Sequence, residues 1–185
     1  MNKKKMIILI IALVLVVYGI HYAIRSIHDN YRFGEELYIS AGTLSVDFNA
    51  LAHGINVLED QCKNPDRYPD GIQRIPFDFA LTNLYLWVYD DMETVLLQDE
   101  CEELYHCFSE LREKTVNDST NLKLKNLFTD KEKFEEVAAL RDQLYVLIEG
   151  MEDFRERYEE MSVWERYFAS WEDERKTVSE LVSLP

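Results

Sequence analysis

Residues 33–62 read FGEELYISAGTLSVDFNALAHGINVLEDQC, and within them Phe33, Leu37, Ala41, Leu44, Phe48, Leu51, Ile55, Leu58 and Cys62 recur at steps of three or four. At 3.6 residues per turn, such steps stack side chains into one stripe along a helix. A stripe of apolar side chains has to be covered by a neighbouring helix. Gly42 and Gly54 lie off the stripe. Each costs a helix about 1 kcal/mol relative to alanine, which a pattern of this length absorbs. The stretch therefore predicts one long helix of an all-α protein.

Upstream of it, Met6 to Ile20 (MIILIIALVLVVYGI) is apolar without interruption, and His21, Tyr22, Ala23 and Ile24 extend the run to 19 residues. At 1.5 Å per residue that is about 28 Å, close to the hydrocarbon thickness of a bilayer. Ile, Leu and Val fill 11 of the first 15 positions. Each favours insertion by about 0.3–0.6 kcal/mol near the helix centre. Tyr18 and Tyr22 fall where amphipathic rings settle at the interface. Residues 1–24 are thus expected to be a membrane anchor, with Lys3, Lys4 and Lys5 as a basic flank and residues 6–24 in the lipid bilayer. Residues 25–185 follow as a separate acidic domain. The junction at His28-Asp29-Asn30 is the expected hinge.

The competing reading is a cleaved signal peptide, ending at Val17-Tyr18-Gly19 and releasing a secreted domain. Signal peptides have an apolar stretch of about 7–15 residues, and the longer run here favours a single-pass span. No cysteine follows the run closely, so a lipoprotein anchor is excluded. The lysines outweigh Arg25 and Arg32 on the other side, which favours a cytoplasmic N-terminus and an exported C-terminal domain. Cys62, Cys101 and Cys107 pull the other way. They are odd in number, and Cys101 and Cys107 stand on different faces of one helix. Unpaired thiols suit a reducing compartment.

Downstream, Asn64 to Pro76 holds three of the chain's four prolines and is expected to be a loop, with Pro76 opening the next helix. From Pro76 to about Thr115, Leu81, Tyr85, Val88, Met92 and Val95 form one seam. Leu97, Cys101, Leu104, Phe108 and Leu111 form a second, out of phase, so a break is expected near Gln98, with Asp99 as a possible N-cap. Asn117 to Phe128 reads as a polar connector with a short turn. Thr129-Asp130-Lys131-Glu132 has the form of a capping box. It opens a helix whose seam is Val137, Leu140, Leu144, Leu147, Met151, Phe154, Tyr158 and Met161. Ser162-Val163-Trp164-Glu165 has the same form, and a last helix is expected to carry Trp164, Phe168, Trp171, Val178 and Val182 on one face. The sum is an N-terminal transmembrane helix followed by an antiparallel bundle of three or four long, heptad-patterned helices.

The composition narrows function. The chain has 185 residues, 20 Lys+Arg and 35 Asp+Glu, a net charge of −15. Residues 25–185 hold 17 of the basic and all 35 acidic side chains, a net of −18. That excess argues against nucleic-acid binding, which needs clustered Lys and Arg, and makes a basic protein partner the natural complement. Six Gly and four Pro are too few for a turn-rich β fold.

Candidate chemistry is sparse. Glu103-Leu104-Tyr105-His106 has the E-x-x-H spacing of carboxylate-bridged metal sites, with Glu110 further along the same face. A di-iron site needs two such motifs on different helices plus further Glu residues, and this is one motif. Cys101 and His106 do not face each other on a helix, which weakens a zinc site. Cys101 lies among Asp99, Glu100, Glu102 and Glu103, an anionic setting that opposes thiolate chemistry. No cofactor is implied, and no phosphate loop, nucleophile elbow or HExxH occurs. Asn117-Asp118-Ser119 fits the glycosylation acceptor pattern. The aromatic group Trp164, Tyr167, Phe168 and Trp171 reads either as core or as a partner or ligand surface, because Trp and Tyr anchor interfaces. The leading expectation is a non-enzymatic, membrane-anchored interaction module, with self-association open to it. The alternatives are a ligand-sensing helical input domain that signals through a partner, and a metal-dependent enzyme using Glu103 and His106.

Overall fold

The apolar stripe and the upstream run join in one helix, α1 (Lys3–Lys63), helical without interruption over 61 residues in the computed structural model. At 1.5 Å per residue it is about 90 Å long. The structure describes residues 3–116 and 120–183. After α1 come α2 (Ile75–Leu86), α3 (Tyr89–Val95), α4 (Gln98–Thr115), α5 (Leu122–Thr129), α6 (Lys131–Glu160), α7 (Val163–Phe168) and α8 (Trp171–Ser179), with no strand among the described residues.

The hinge expected at His28-Asp29-Asn30 does not form. Arg25 and Asp29 pair one turn apart at 3.6 Å along the helix, and the Asn30 side chain bonds to carbonyls of another element instead of to its own backbone. Local competition for the backbone, the usual reason an Asp-Asn pair breaks a helix, is thereby removed.

Two stretches of α1 have opposite surroundings. Leu37, Ala41, Leu44, Phe48, Leu51, Ile55, Leu58 and Cys62 are buried, and Phe33 packs against the same core. The apolar residues from Ile10 to Ile24 are exposed, and this is the one helix among the described residues long and apolar enough to span a membrane.

The second long seam also forms. Val137, Leu140, Leu144, Leu147, Met151, Phe154 and Tyr158 of α6 are buried, and Met161 packs partly against them. Paired contacts order α6 along α1: Arg141 meets Glu59 at 2.9 Å, Tyr145 meets Asn56 at 2.8 Å, and Glu159 meets Tyr38 at 2.6 Å. On the other flank, Gln73 meets Gln61, Asn83 meets Asp47, and Asp91 meets Ser40.

Five shorter-range expectations are corrected. The Pro76–Thr115 region breaks twice, near Gln98 as expected and also at Trp87-Val88. The N-cap of α4 is Leu97, with Asp99 inside the first turn, because the Leu97 amide finds its acceptor in Ser179 of α8 at 2.7 Å. The polar connector contains α5, whose Leu124, Leu127 and Phe128 are buried, with Phe128 edge-on to Phe77. The cap of α6 is Asp130, which accepts from Glu132 and Lys133, while Thr129 ends α5. The capping box at Ser162 forms with both bonds, but the helix it opens stops at Phe168, and Trp171 starts another. The acceptor pattern Asn117-Asp118-Ser119 lies outside the described residues.

Candidate functional site

The four aromatics of the C-terminal segment part company. Trp171 is 1% exposed, wedged against Gly34 and set edge-on to Phe154 with rings 6.3 Å apart. Its indole Nε1 donates to the Arg166 carbonyl at 3.2 Å. A buried indole with its one polar atom satisfied is a core residue. Tyr167 stacks on Tyr31 of α1 at 4.4 Å and is half-buried. Trp164 and Phe168 face outward, 75% and 67% exposed. The expected single face is split because the chain turns at Ala169-Ser170, where Asn30 Nδ2 donates to the carbonyls of Tyr167 and Ala169 at 3.2 and 3.1 Å.

Glu103, His106 and Glu110 stay on the outer surface of α4. His106 Nδ1 is 3.8 Å from Glu110, and the two side chains are 72% and 51% exposed. No group of three or more His, Cys, Asp or Glu that could hold a metal occurs among the described residues. Cys62 and Cys101 are buried, Cys107 is half-buried, and all three are free. Burial, reinforced by Glu93, pushes the Cys101 thiol up to about 11. Burial raises Cys62 and Cys107 as well. These thiols are protonated near neutral pH and poor nucleophiles.

Two features have no counterpart in the sequence reading. An open depression of about 800 Å³ lies where α4, α5 and α6 meet, lined by Glu110, Lys114, Lys123 and Glu136 among others. A smaller one of about 290 Å³ adjoins it and reaches Cys107, Leu111, Val137 and Leu140. Lys114 bridges its rim, 2.8 Å from Glu136 and 3.8 Å from Glu110, and Glu136 holds that ammonium above its ordinary value.

The second feature is an exposed apolar face. On α2, Ile75, Phe79 and Leu86 are exposed, followed by Trp87 at 76%. On α1, Ile39 and Val46, two turns apart, are 63% and 68% exposed. The Asn83–Asp47 hydrogen bond at 2.8 Å ties the helices together between Phe79 and Leu86 on one side and next to Val46 on the other. Acidic groups stand beside its residues: Glu36, one turn before Ile39, and Asp90, one turn after Trp87, are exposed, and Asp47 is half-buried with its carboxyl pushed up by that burial. This face has no signature in the sequence, because each apolar residue off a seam is ordinary by itself. Only the adjacency of α1 and α2 gathers them.

Comparison with protein-family models, with curated proteins and with solved structures finds no match for this chain.

Proposed function

We propose that the chain is a single-pass membrane protein whose acidic, antiparallel helical bundle is a non-enzymatic docking module for a protein partner. The observation that carries this reading is the exposed α1–α2 face, with Phe79, Leu86 and Trp87 beside Val46 and a border of carboxylates. Large apolar side chains gathered inside a polar rim are what interface cores are made of. The partner this face fits is a segment with apolar anchors and flanking Lys or Arg. The ordered pairs along α1 and α6 support the antiparallel arrangement, and the exposed run Ile10–Ile24 supports the span.

The test is site-specific photo-crosslinking in native membranes, with the probe at position 79 or 87 and a control at Val146, an exposed position on α6. A discrete adduct of constant mass is expected from 79 and 87 and not from 146. It should weaken as salt rises from about 0.1 M to about 0.5 M, since rim charges are screened within about 10 Å or less. Phe79→Glu should reduce it about tenfold or more, the effect of removing a central aromatic anchor. An adduct of twice the chain mass would replace the heterologous partner by a second copy. Equal labelling at all three positions, or none, would remove the docking face.

A ligand-sensing role is the second reading, and the α4–α6 depression favours it over the aromatic group as the place for a ligand. Its charged rim fits a small zwitterionic or polar molecule. Lys114→Ala should then abolish any ligand-induced rise in thermal midpoint.

A further inference from the structure

We propose that the corner between α7 and α8 is a second membrane contact, with Trp164 and Phe168 seated in the interfacial layer of the bilayer that α1 crosses. This rests on the reading of residues 6–24 as a span. Because α1 is one uninterrupted helix, it acts as a ruler between that span and the folded body. Asn30, which holds the Tyr167 and Ala169 carbonyls, is six residues beyond Ile24, a rise of about 9 Å. The polar layer between hydrocarbon and water is about 5–8 Å thick on each side, and interfacial helices sink their apolar face about 5–10 Å into the boundary. Phe168, lying between the two carbonyls that Asn30 holds, is therefore at headgroup depth.

The path of the chain makes this corner the lowest point of the body. The end of α6 meets α1 at Tyr38, through Glu159. The chain then descends through α7 to Asn30 and returns, so that Trp171 already lies against Gly34. Residues from Ile10 to Ser26 are all exposed, and half-burial on α1 begins at Ile27.

The chemistry of the outward side agrees. Arg166, the one basic residue of α7, turns inward, with its guanidinium 4.3 Å from the Tyr158 ring centre. Glu165 bends back onto the Ser162 amide at 2.7 Å. Val163, Trp164 and Phe168 are left facing out, 57%, 75% and 67% exposed. Trp and aromatic neighbours beside a span are the residues that lipid interfaces select. The nearby carboxylates Glu159, Glu160 and Glu172 favour a zwitterionic over an anionic surface.

The experiment uses the full chain reconstituted in phosphatidylcholine vesicles, with or without bromine near the top of the acyl chains, and reads tryptophan emission. Trp87 lies four residues before Asp91, whose partner Ser40 is about 24 Å of helix beyond Ile24, so lipid bromine does not reach it. Trp171 is shielded by burial. The expected result is bromolipid quenching of a fraction near one-third, lost in Trp164→Phe, with Trp164 protected from aqueous acrylamide. Phe168→Glu should restore acrylamide access without moving the thermal midpoint. Flotation of the same samples reads the span independently. Protein that floats with Trp164 unquenched by bromine and open to acrylamide overturns the second contact and leaves the span. Protein that floats with Trp164 unquenched but shielded from acrylamide also overturns it, in favour of a protein cover. Protein that does not float overturns both readings.

Discussion

A β-carbon on Gly34 would stand 2.3 Å from Cε2 and 2.4 Å from Nε1 of Trp171. The indole cannot retreat, because Phe154 and Tyr158 pack against it and its nitrogen is bonded to Arg166. Gly34→Ala is therefore expected to destabilise the fold by about 1–3 kcal/mol, the range for overpacking a closed site, read as a lower urea midpoint. Gly150 is the internal control. A β-carbon there would meet Leu181 Cδ1 at 2.2 Å, the far end of a flexible, half-buried side chain that can rotate away. Inside α6 alanine is also preferred to glycine by up to about 1 kcal/mol, so Gly150→Ala should be neutral or stabilising. Equal losses at both sites would show that Trp171 is not a fixed wedge. Cys101 carries a different prediction. Its folded thiol keeps its proton up to about 11, whereas the unfolded thiol loses its own near 9. Between those values the unfolded state binds fewer protons, so stability falls as pH rises through that window and is unaffected below it. Cys101→Ala should be less stable at neutral pH, from its cavity, and should show a shallower alkaline decline; parallel curves for the two proteins would refute this.

The interruption between α3 and α4 shows how an element is ended from a distance. Neither glycine nor proline stands between Val95 and Gln98, yet the helix stops, leaving two carbonyls and one amide without helical partners. Helix α8 supplies them: Arg175 Nη2 donates to the Glu93 and Leu96 carbonyls at 2.6 Å each, and Ser179 Oγ accepts from the Leu97 amide at 2.7 Å. Ser179 is fully buried, so Ser179→Ala leaves a buried amide unpaired and should cost about 1–3 kcal/mol. Arg175→Met should cost at least as much, and hydrogen exchange at Leu96–Cys101 should speed up in both. Unchanged exchange there would mean the break holds without α8. The same residues explain what is legible in the sequence. The seams of α1 and α6 can be read because an apolar residue every three or four positions is repeated over many turns. The shift of phase near Gln98 can be read because two seams disagree there. Helix α5 is not legible: its eight residues interleave Leu124, Leu127 and Phe128 with Lys123, Lys125 and Asn126, too short a window for a period. The break at Trp87-Val88 has neither glycine nor proline to mark it, and the inward turn of Trp171 is set by a partner more than 130 residues away in sequence, Gly34 under the indole. Of the candidate surfaces, only the aromatic group has a local signature. The α1–α2 face and the α4–α6 depression exist only once helices are placed side by side.

At the scale of the whole molecule, the apolar residues have two kinds of surroundings along one helix. From Phe33 to Cys62 the stripe faces a protein core, and from Ile10 to Ile24 every residue is exposed around the full circumference. A helix apolar on all sides cannot bury itself against one neighbour, which is the physical reason for proposing lipid as the solvent of that stretch. The division has a measurable consequence. Since residues 10–26 are all exposed, they contribute nothing to the body's stability, and a fragment of residues 25–185 should fold unaided. Its net charge of −18 should keep it dispersed in the absence of detergent. Its thermal midpoint should match that of the full chain in detergent within about 2 °C, the shift that roughly 0.5–1 kcal/mol would produce in a domain of this size. The retained start of the helix matters, because Asn30 and Tyr31 hold α7 in place. A fragment beginning at residue 33 should lose both contacts, melt lower, and release Trp171 to a red-shifted emission. If the 25–185 fragment instead aggregates or melts many degrees lower, the apolar run is part of a packed protein interface and the assignment of α1 to two solvents fails. If it matches, the folded body and the anchor are separable, and membrane attachment can be removed to test partner binding on the α1–α2 face alone.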